Sequence, residues 1–260
     1  MLLQGQSGYT RKDLVSRASE VLYHDEQLPS LKPIVLLPPV HDCCSSPLKY
    51  DPRPSCPLIY TTNGTSVGAM FHGRCRKCDH CYFYSYWEKR DGEGATQRYY
   101  YDPLSNPQEY FQYSSSSLFE VRYLNDITNN IVFSAVTFQS RAEVYYSNNR
   151  VRDQSHLRHM EKFKCSKTHE WSPSAKRIED CWFLWCIVNT YSELNSLSTT
   201  NLYAEYTSNG KRRNLEILCV ELCNTLNGRP NKWALHKCTV KGCTEGYITI
   251  DGNEKLRRPI

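Results

Sequence analysis

Cys75 and Cys78 stand at C-x2-C spacing with Arg76 and Lys77 between them, and about 30 residues earlier His41, Cys43 and Cys44 crowd together. A C-x2-C turn brings two sulfurs to one side of the backbone. A second pair facing it completes the four ligands of a tetrahedral ion. Thiolate and neutral imidazole both suit Zn2+, and four protein ligands without an open position make a structural centre rather than a catalytic one. The expected set is Cys44, Cys75 and Cys78 with either His41 or Cys43. Cys43 adjoins Cys44 and can replace it, while Cys81 extends the later series.

His236, Cys238 and Cys243 form a second candidate Zn2+ group near the end of the chain. Three ligands are visible there, so either the site borrows a fourth from elsewhere or the chain is cut short. Cys219 and Cys223 share a helix face at i, i+4 spacing and read as small core residues. His156, His159, Cys165 and His169 have suitable side chains but lie in a charged stretch that reads as a solvated basic face.

The net charge is +5, mildly basic, and the positive residues gather at Arg74, Arg76 and Lys77, at Lys211, Arg212 and Arg213, and at Arg257 and Arg258. Such clusters on a metal-held scaffold suit phosphate contact without base reading, which makes DNA an expected partner. The chain has 13 cysteines, an odd and clustered number that fits metal sites in a reducing compartment better than a disulfide framework. Met1 to Tyr9 lacks an apolar signal core, and the longest apolar run, Cys181 to Val188, is too short to span a bilayer. The expected setting is intracellular, without a membrane partner. G-x-S-x-G, P-loop, H-E-x-x-H and deaminase patterns are absent, so no catalytic residue and no small-molecule substrate are nominated.

The elements that must position these residues are legible in part. Arg11 to Tyr23 has helical apolar spacing after Thr10, and Ile34 to Leu37 reads as a strand among prolines. Leu58 to Thr62 and Val67 to His72 should form a hairpin through a type I′ Asn63-Gly64 turn. Tyr82 to Trp87 reads as one aromatic strand, which could stack bases or line a core, and Tyr99 to Tyr101 as another. Leu118 to Tyr146 reads as helix with a break at Asn129-Asn130. Ser172-Pro173 should start a buried Trp-rich helix running to Leu194, and Asn214 to Leu226 a last helix, before short strands that include Tyr247 to Ile250.

His41-Asp42-Cys43-Cys44 followed by Pro47-Leu48, the Leu58 to Thr61 strand with its Asn63-Gly64 turn, and Cys75-x2-Cys78 before aromatics together resemble the fifth type of CxC-like cysteine-cluster domain associated with Kyakuja-Dileera-Zisupton (KDZ) transposases. His236-x-Cys238-x4-Cys243 with Ile250-Asp251-Gly252 is similar to the sixth type. The resemblance implies zinc-chelating modules N-terminal to a transposase domain, a mobile-element origin and a nuclear setting. The competing expectation is a protein-interaction or oligomerisation module without nucleic-acid binding, in which the Trp-rich helix and aromatic strand form a surface for a transposase or a second copy of the chain. The expected architecture is α+β: an N-terminal helix in 1–30, a zinc-ribbon-like β module in 31–113, a helical region in 114–230 and a small, truncated β zinc module in 231–260. The expected function is a non-catalytic accessory region, not an enzyme.

Overall fold

The computed structural model describes residues 11–22, 34–90, 92, 96–160, 171–193 and 202. The helix expected at 214–226, the strands and ligands expected near the end, and Lys211, Arg212 and Arg213 lie outside the described residues.

The architecture is α+β. In chain order the elements are α1 (Arg11–Leu22), β1 (Ile34–Leu36), β2 (Asp42–Cys43), β3 (Ser46–Pro47), β4 (Lys49–Tyr50), β5 (Leu58–Thr61), β6 (Gly64–Met70), β7 (Gly73–Arg74), β8 (Cys81–Tyr82), β9 (Tyr86–Arg90), β10 (Thr96–Tyr100), β11 (Tyr110–Ser114), β12 (Ser117–Glu120), α2 (Val121–Ser134), α3 (Phe138–Met160) and α4 (Ala175–Glu193). One sheet has the order β1-β6-β5-β12-β11, a second the order β10-β9-β8-β7-β4, and β2-β3 stands apart as a two-stranded hairpin.

The first sheet carries the main core. Strand alternation sends Leu58, Tyr60, Phe111 and Phe119 to one face, where α2 and α4 close over them with Leu124, Ile127, Ile178 and Val188. Ile59, Leu36, Met70 and Leu118 take the other face. Gly68 in β6 is required by close approach, since a Cβ there would sit 2.8 Å from Ile59 Cδ1 and 3.2 Å from the Ile34 carbonyl oxygen. α1 covers β6 through Leu14 and Ala18, both buried against Ala69 and Phe71. Two polar contacts lie inside this core: Arg177 donates to the Tyr60 hydroxyl at 2.8 Å, and Thr65 Oγ1 donates to the Trp171 carbonyl at 2.8 Å.

The Trp-rich helix expected from sequence is α4, and it supplies core rather than surface. Trp182, Leu184, Ile187, Val188 and Tyr191 are buried, and Trp182 Nε1 donates to Thr128 Oγ1 of α2 at 2.9 Å. It begins later than Ser172-Pro173. Ser174 is the capping residue, its Oγ accepting from Arg177 N at 3.2 Å, because a serine three residues before a free N–H fills the N-cap role wherever the backbone first turns helical.

Other boundaries differ for identifiable reasons. Leu118 to Glu120, expected as helix, is strand β12, because pairing with β11 and with β5 buries Leu118 and Phe119 on opposite faces. The helical break falls at Ala135, in the left-handed region with φ 49°, rather than at Asn129-Asn130, whose Asn130 carbonyl instead receives the Ala135 N–H. The first hairpin turns at Thr62-Asn63, with Gly64 supplying the positive φ of 112° one residue later, so the turn is not type I′ at Asn63-Gly64. The aromatic run splits into β8 and β9 around Phe83 to Ser85, where Phe83 N donates to the Tyr86 carbonyl at 2.8 Å. Its rings line the core: Tyr82 and Tyr86 are buried, and Tyr82, Trp87 and Tyr99 stand in register across three strands.

The 113/114 boundary expected between a β module and a helical region passes through β11, the strand that ties both parts to one sheet. The two sheets are joined by Gln112, which is fully buried. Its side-chain carbonyl accepts from Tyr84 N at 3.1 Å, and its own N–H donates to Ser85 Oγ at 2.8 Å. Among the described residues no helix is long and apolar enough to cross a membrane.

Candidate metal centre

Two tight turns meet beside the second sheet. In the first, β2 and β3 pair Cys43 with Ser46, so Cys44 and Ser45 are the two turn residues, and both adopt positive φ, 52° and 53°. That is the backbone of a type I′ turn, built without the Asn or Gly that accept it readily. Left-handed backbone costs roughly 1–2 kcal/mol per residue with a side chain. The turn projects Cys44 from its tip while Cys43 ends the strand.

The second turn runs from β7 to β8. Cys75 N donates to the His80 carbonyl at 2.9 Å, and Asp79 N donates to the Cys75 carbonyl at 3.1 Å, which curls Cys75 and Cys78 around one point. Asp79 takes the left-handed conformation, φ 62°, and Arg74 Nε holds its carboxylate at 2.6 Å. The turn sits on a small apolar base of Leu48, Cys75 and Tyr82, with Val40, Cys43, Tyr50, Cys78, Trp87 and Tyr101 around it. Gly73 makes that base possible, since a Cβ there would lie 2.9 Å from Leu48 Cδ1 and 3.1 Å from Leu48 Cβ.

The result is a cluster of four thiols. The sulfurs of Cys43, Cys44, Cys75 and Cys78 all lie within 4.8 Å of one another, with Cys43 to Cys44 at 3.6 Å and Cys43 to Cys78 at 3.4 Å. A tetrahedral ion with metal–sulfur bonds near 2.3 Å needs sulfur–sulfur edges of about 3.8 Å, so this donor set fits one. Cys43 fills the place that sequence left open between itself and His41. His41 is exposed and is not one of the group; its carbonyl accepts the Leu48 N–H at 3.0 Å, which closes the base of the hairpin. Cys81 lies beside Tyr82 in β8 and so points to the opposite face of the sheet, where burial pushes its thiol up.

The electrostatics are uneven. Backbone N–H groups of Cys78 and Lys77 draw the Cys75 thiol down to about 7, which makes it the most readily ionised of the four. Cys43 and Cys78 are raised mainly by burial, and Cys44 mainly by its hydrogen bond with Cys78, because adjacent sulfurs share protons more readily than they share negative charge. The Tyr82 hydroxyl is hydrogen-bonded to Cys43 and works against that rise. Gly73 is a supporting residue that sequence reading did not single out, while Leu48 and Tyr82 were read only as part of a motif and of an aromatic strand. The alternation of Gly73 with Cys75 before a returning aromatic strand was the available signal.

The cations expected to meet phosphate are placed differently from one another. Arg74 is ion-paired with Asp79, both exposed. Lys77 Nζ donates to the Cys44 carbonyl at 2.9 Å. Arg76 is exposed, and Lys49, also exposed, stands opposite Arg74 in register. His236, Cys238 and Cys243 lie outside the described residues.

No curated protein and no solved structure matches the chain. The segment with sixth-type resemblance, 236–252, lies beyond the span that a family model matches. That span holds the cysteine hairpin, the second knuckle and both sheets: residues 31–149 match the CxC5 like cysteine cluster associated with KDZ transposases.

Proposed function

We propose that Cys43, Cys44, Cys75 and Cys78 hold a structural Zn2+, and that the chain is a non-catalytic accessory region of a KDZ-type mobile-element protein, positioning DNA for a transposase. The observation that carries this reading is the convergence of four thiols from two separate turns within 4.8 Å. Tetrahedral all-sulfur sites select Zn2+ or iron–sulfur chemistry, and a single compact set suits one ion. When bound, Zn2+ supplies a closed cross-link between the hairpin and the knuckle. With all four positions filled by thiolate, no coordination site remains for a substrate water, which supports a structural role.

Arg76 and Lys49 are the cations best placed for phosphate, being exposed on the turn and the strand beside the cluster. The nuclear setting follows from the same reading. Elemental analysis of the purified chain should give one zinc for this centre, lost in Cys75→Ser; a second zinc would come from the group at His236, Cys238 and Cys243. Absence of bound metal from protein purified under reducing conditions would remove the zinc reading. For the DNA role, Lys49→Glu with Arg76→Glu should weaken duplex binding in fluorescence anisotropy and reduce the salt slope by about two, with zinc content unchanged. Equal binding by wild type and double variant would reject these phosphate contacts.

A further inference from the structure

We infer that Lys77 is a positioning residue of the metal centre, holding the Cys44 turn and offsetting the negative charge of the four-thiolate site, rather than a free contact for phosphate. The inference rests on the metal reading above and concerns what surrounds the ligands. Cys44 and Ser45 are held in left-handed backbone by a hairpin only two residues deep on each side, which belongs to neither larger sheet. A turn of that kind, without Asn or Gly, needs an external hold. Lys77 supplies it from the opposite knuckle: its ammonium reaches the Cys44 carbonyl at 2.9 Å, bridging one ligand's backbone to the segment between Cys75 and Cys78.

Charge gives the second half of the argument. Four thiolates around a divalent ion leave the centre at a formal charge of −2, and the knuckle places Arg76 and Lys77 between its two cysteines. Arg74 is turned away to Asp79, whose carboxylate cancels it. Lys77 is therefore the cation whose hydrogen bond ties it to a ligand residue, and its three donor hydrogens leave two for solvent. An ammonium in that place fixes where Cys44 points and offsets the charge of the metal-bound sulfurs.

The test uses the full chain and a competition titration of Zn2+ against a chromophoric chelator. Lys77→Met should raise the Zn2+ dissociation constant about 10- to 100-fold, the range for lost outer-shell support. Lys77→Arg should recover most of that loss, since a guanidinium keeps both the charge and a donor. Added NaCl should weaken Zn2+ binding to the wild type more than to Lys77→Met, because the former has one more cation against the thiolates to screen; a purely steric role for the side chain would leave the two salt responses alike. Co2+ substitution should show the same four-sulfur charge-transfer bands in all variants, which separates weaker binding from a changed ligand set. A Lys77→Met affinity within twofold of wild type, equal losses in Lys77→Met and Lys77→Arg, or identical salt responses would each overturn the inference. Failure of the wild type itself to bind Zn2+ or Co2+ would instead bring down the metal reading on which it stands.

Discussion

Replacing Gly73 by alanine should loosen the metal centre without touching a ligand. The added Cβ would lie 2.9 Å from Leu48 Cδ1, 3.1 Å from Leu48 Cβ and 3.4 Å from Tyr50 Cε1. Carbon atoms pack at about 3.5–4.0 Å, so the nearest two contacts are short by several tenths of an ångström. The Cδ1 methyl can swing aside, but Leu48 Cβ is fixed to the chain just before β4, and β4 pairs directly with β7 through Tyr50 and Gly73. Relief therefore requires β4 to retreat, and β3 with the Cys43-Cys44 hairpin lies immediately upstream. Overpacking of this kind costs about 1–3 kcal/mol. Urea unfolding of the Zn2+-loaded chain, followed by tryptophan fluorescence, should show a loss of that size, and chelator competition should show weaker Zn2+ binding by about tenfold. Gly68→Ala is the matched control: its Cβ would meet Ile59 Cδ1 at 2.8 Å and Leu36 Cδ1 at 3.1 Å, in the other sheet. It should cost comparable stability and leave Zn2+ affinity within twofold of wild type. The reasoning is refuted if Gly73→Ala keeps wild-type affinity, or if Gly68→Ala weakens metal binding as much as Gly73→Ala does.

Two further outcomes follow from the charges. Cys75 is drawn down to about 7, whereas Cys43, Cys44 and Cys78 lie above the ordinary thiol value, so Zn2+ binding at pH 7 should release roughly three to four protons per ion. Affinity must then rise with pH, steeply below 7 and less so as Cys75 finishes ionising; calorimetry in buffers of different ionisation enthalpy counts the protons, and two or fewer would contradict the four-thiol set. Arg98 and Glu88 form a mostly buried pair at 2.6 Å, with side chains 16% and 19% exposed, and Arg98 also lies 3.9 Å above the Tyr86 ring. Arg98→Met, which strands the Glu88 carboxylate, should cost about 3–5 kcal/mol in urea unfolding, while adding Glu88→Gln should recover part of it; equal stability of all three proteins would show that the pair is solvated.

What sequence could and could not reveal divides along a physical line. Cys75-x2-Cys78 was legible because its spacing alone forces two sulfurs together, and the β5–β6 hairpin because two short apolar runs flank an Asn-Gly step. The leading pair was not fully legible. Adjacent Cys43 and Cys44 point both sulfurs inward only because Cys44 and Ser45 adopt a left-handed turn that their side chains do not advertise, and that geometry also leaves His41 outside. Leu118 to Glu120 misled for a related reason: its apolar spacing continues into that of α2, and pairing with β11 on one side and with β5, nearly 60 residues earlier, on the other selects strand. The same dependence on distant contacts governs Lys77. Read alone it is one of three clustered cations, suited to phosphate; in the fold its ammonium is drawn across to Cys44, while Arg74 turns to Asp79. A basic cluster beside a cysteine knuckle thus serves two ends, and charge reversal at Lys77 would confound them. Separating nucleic-acid contact from support of the thiolates requires Arg76 and Lys49 to be varied with Lys77 intact.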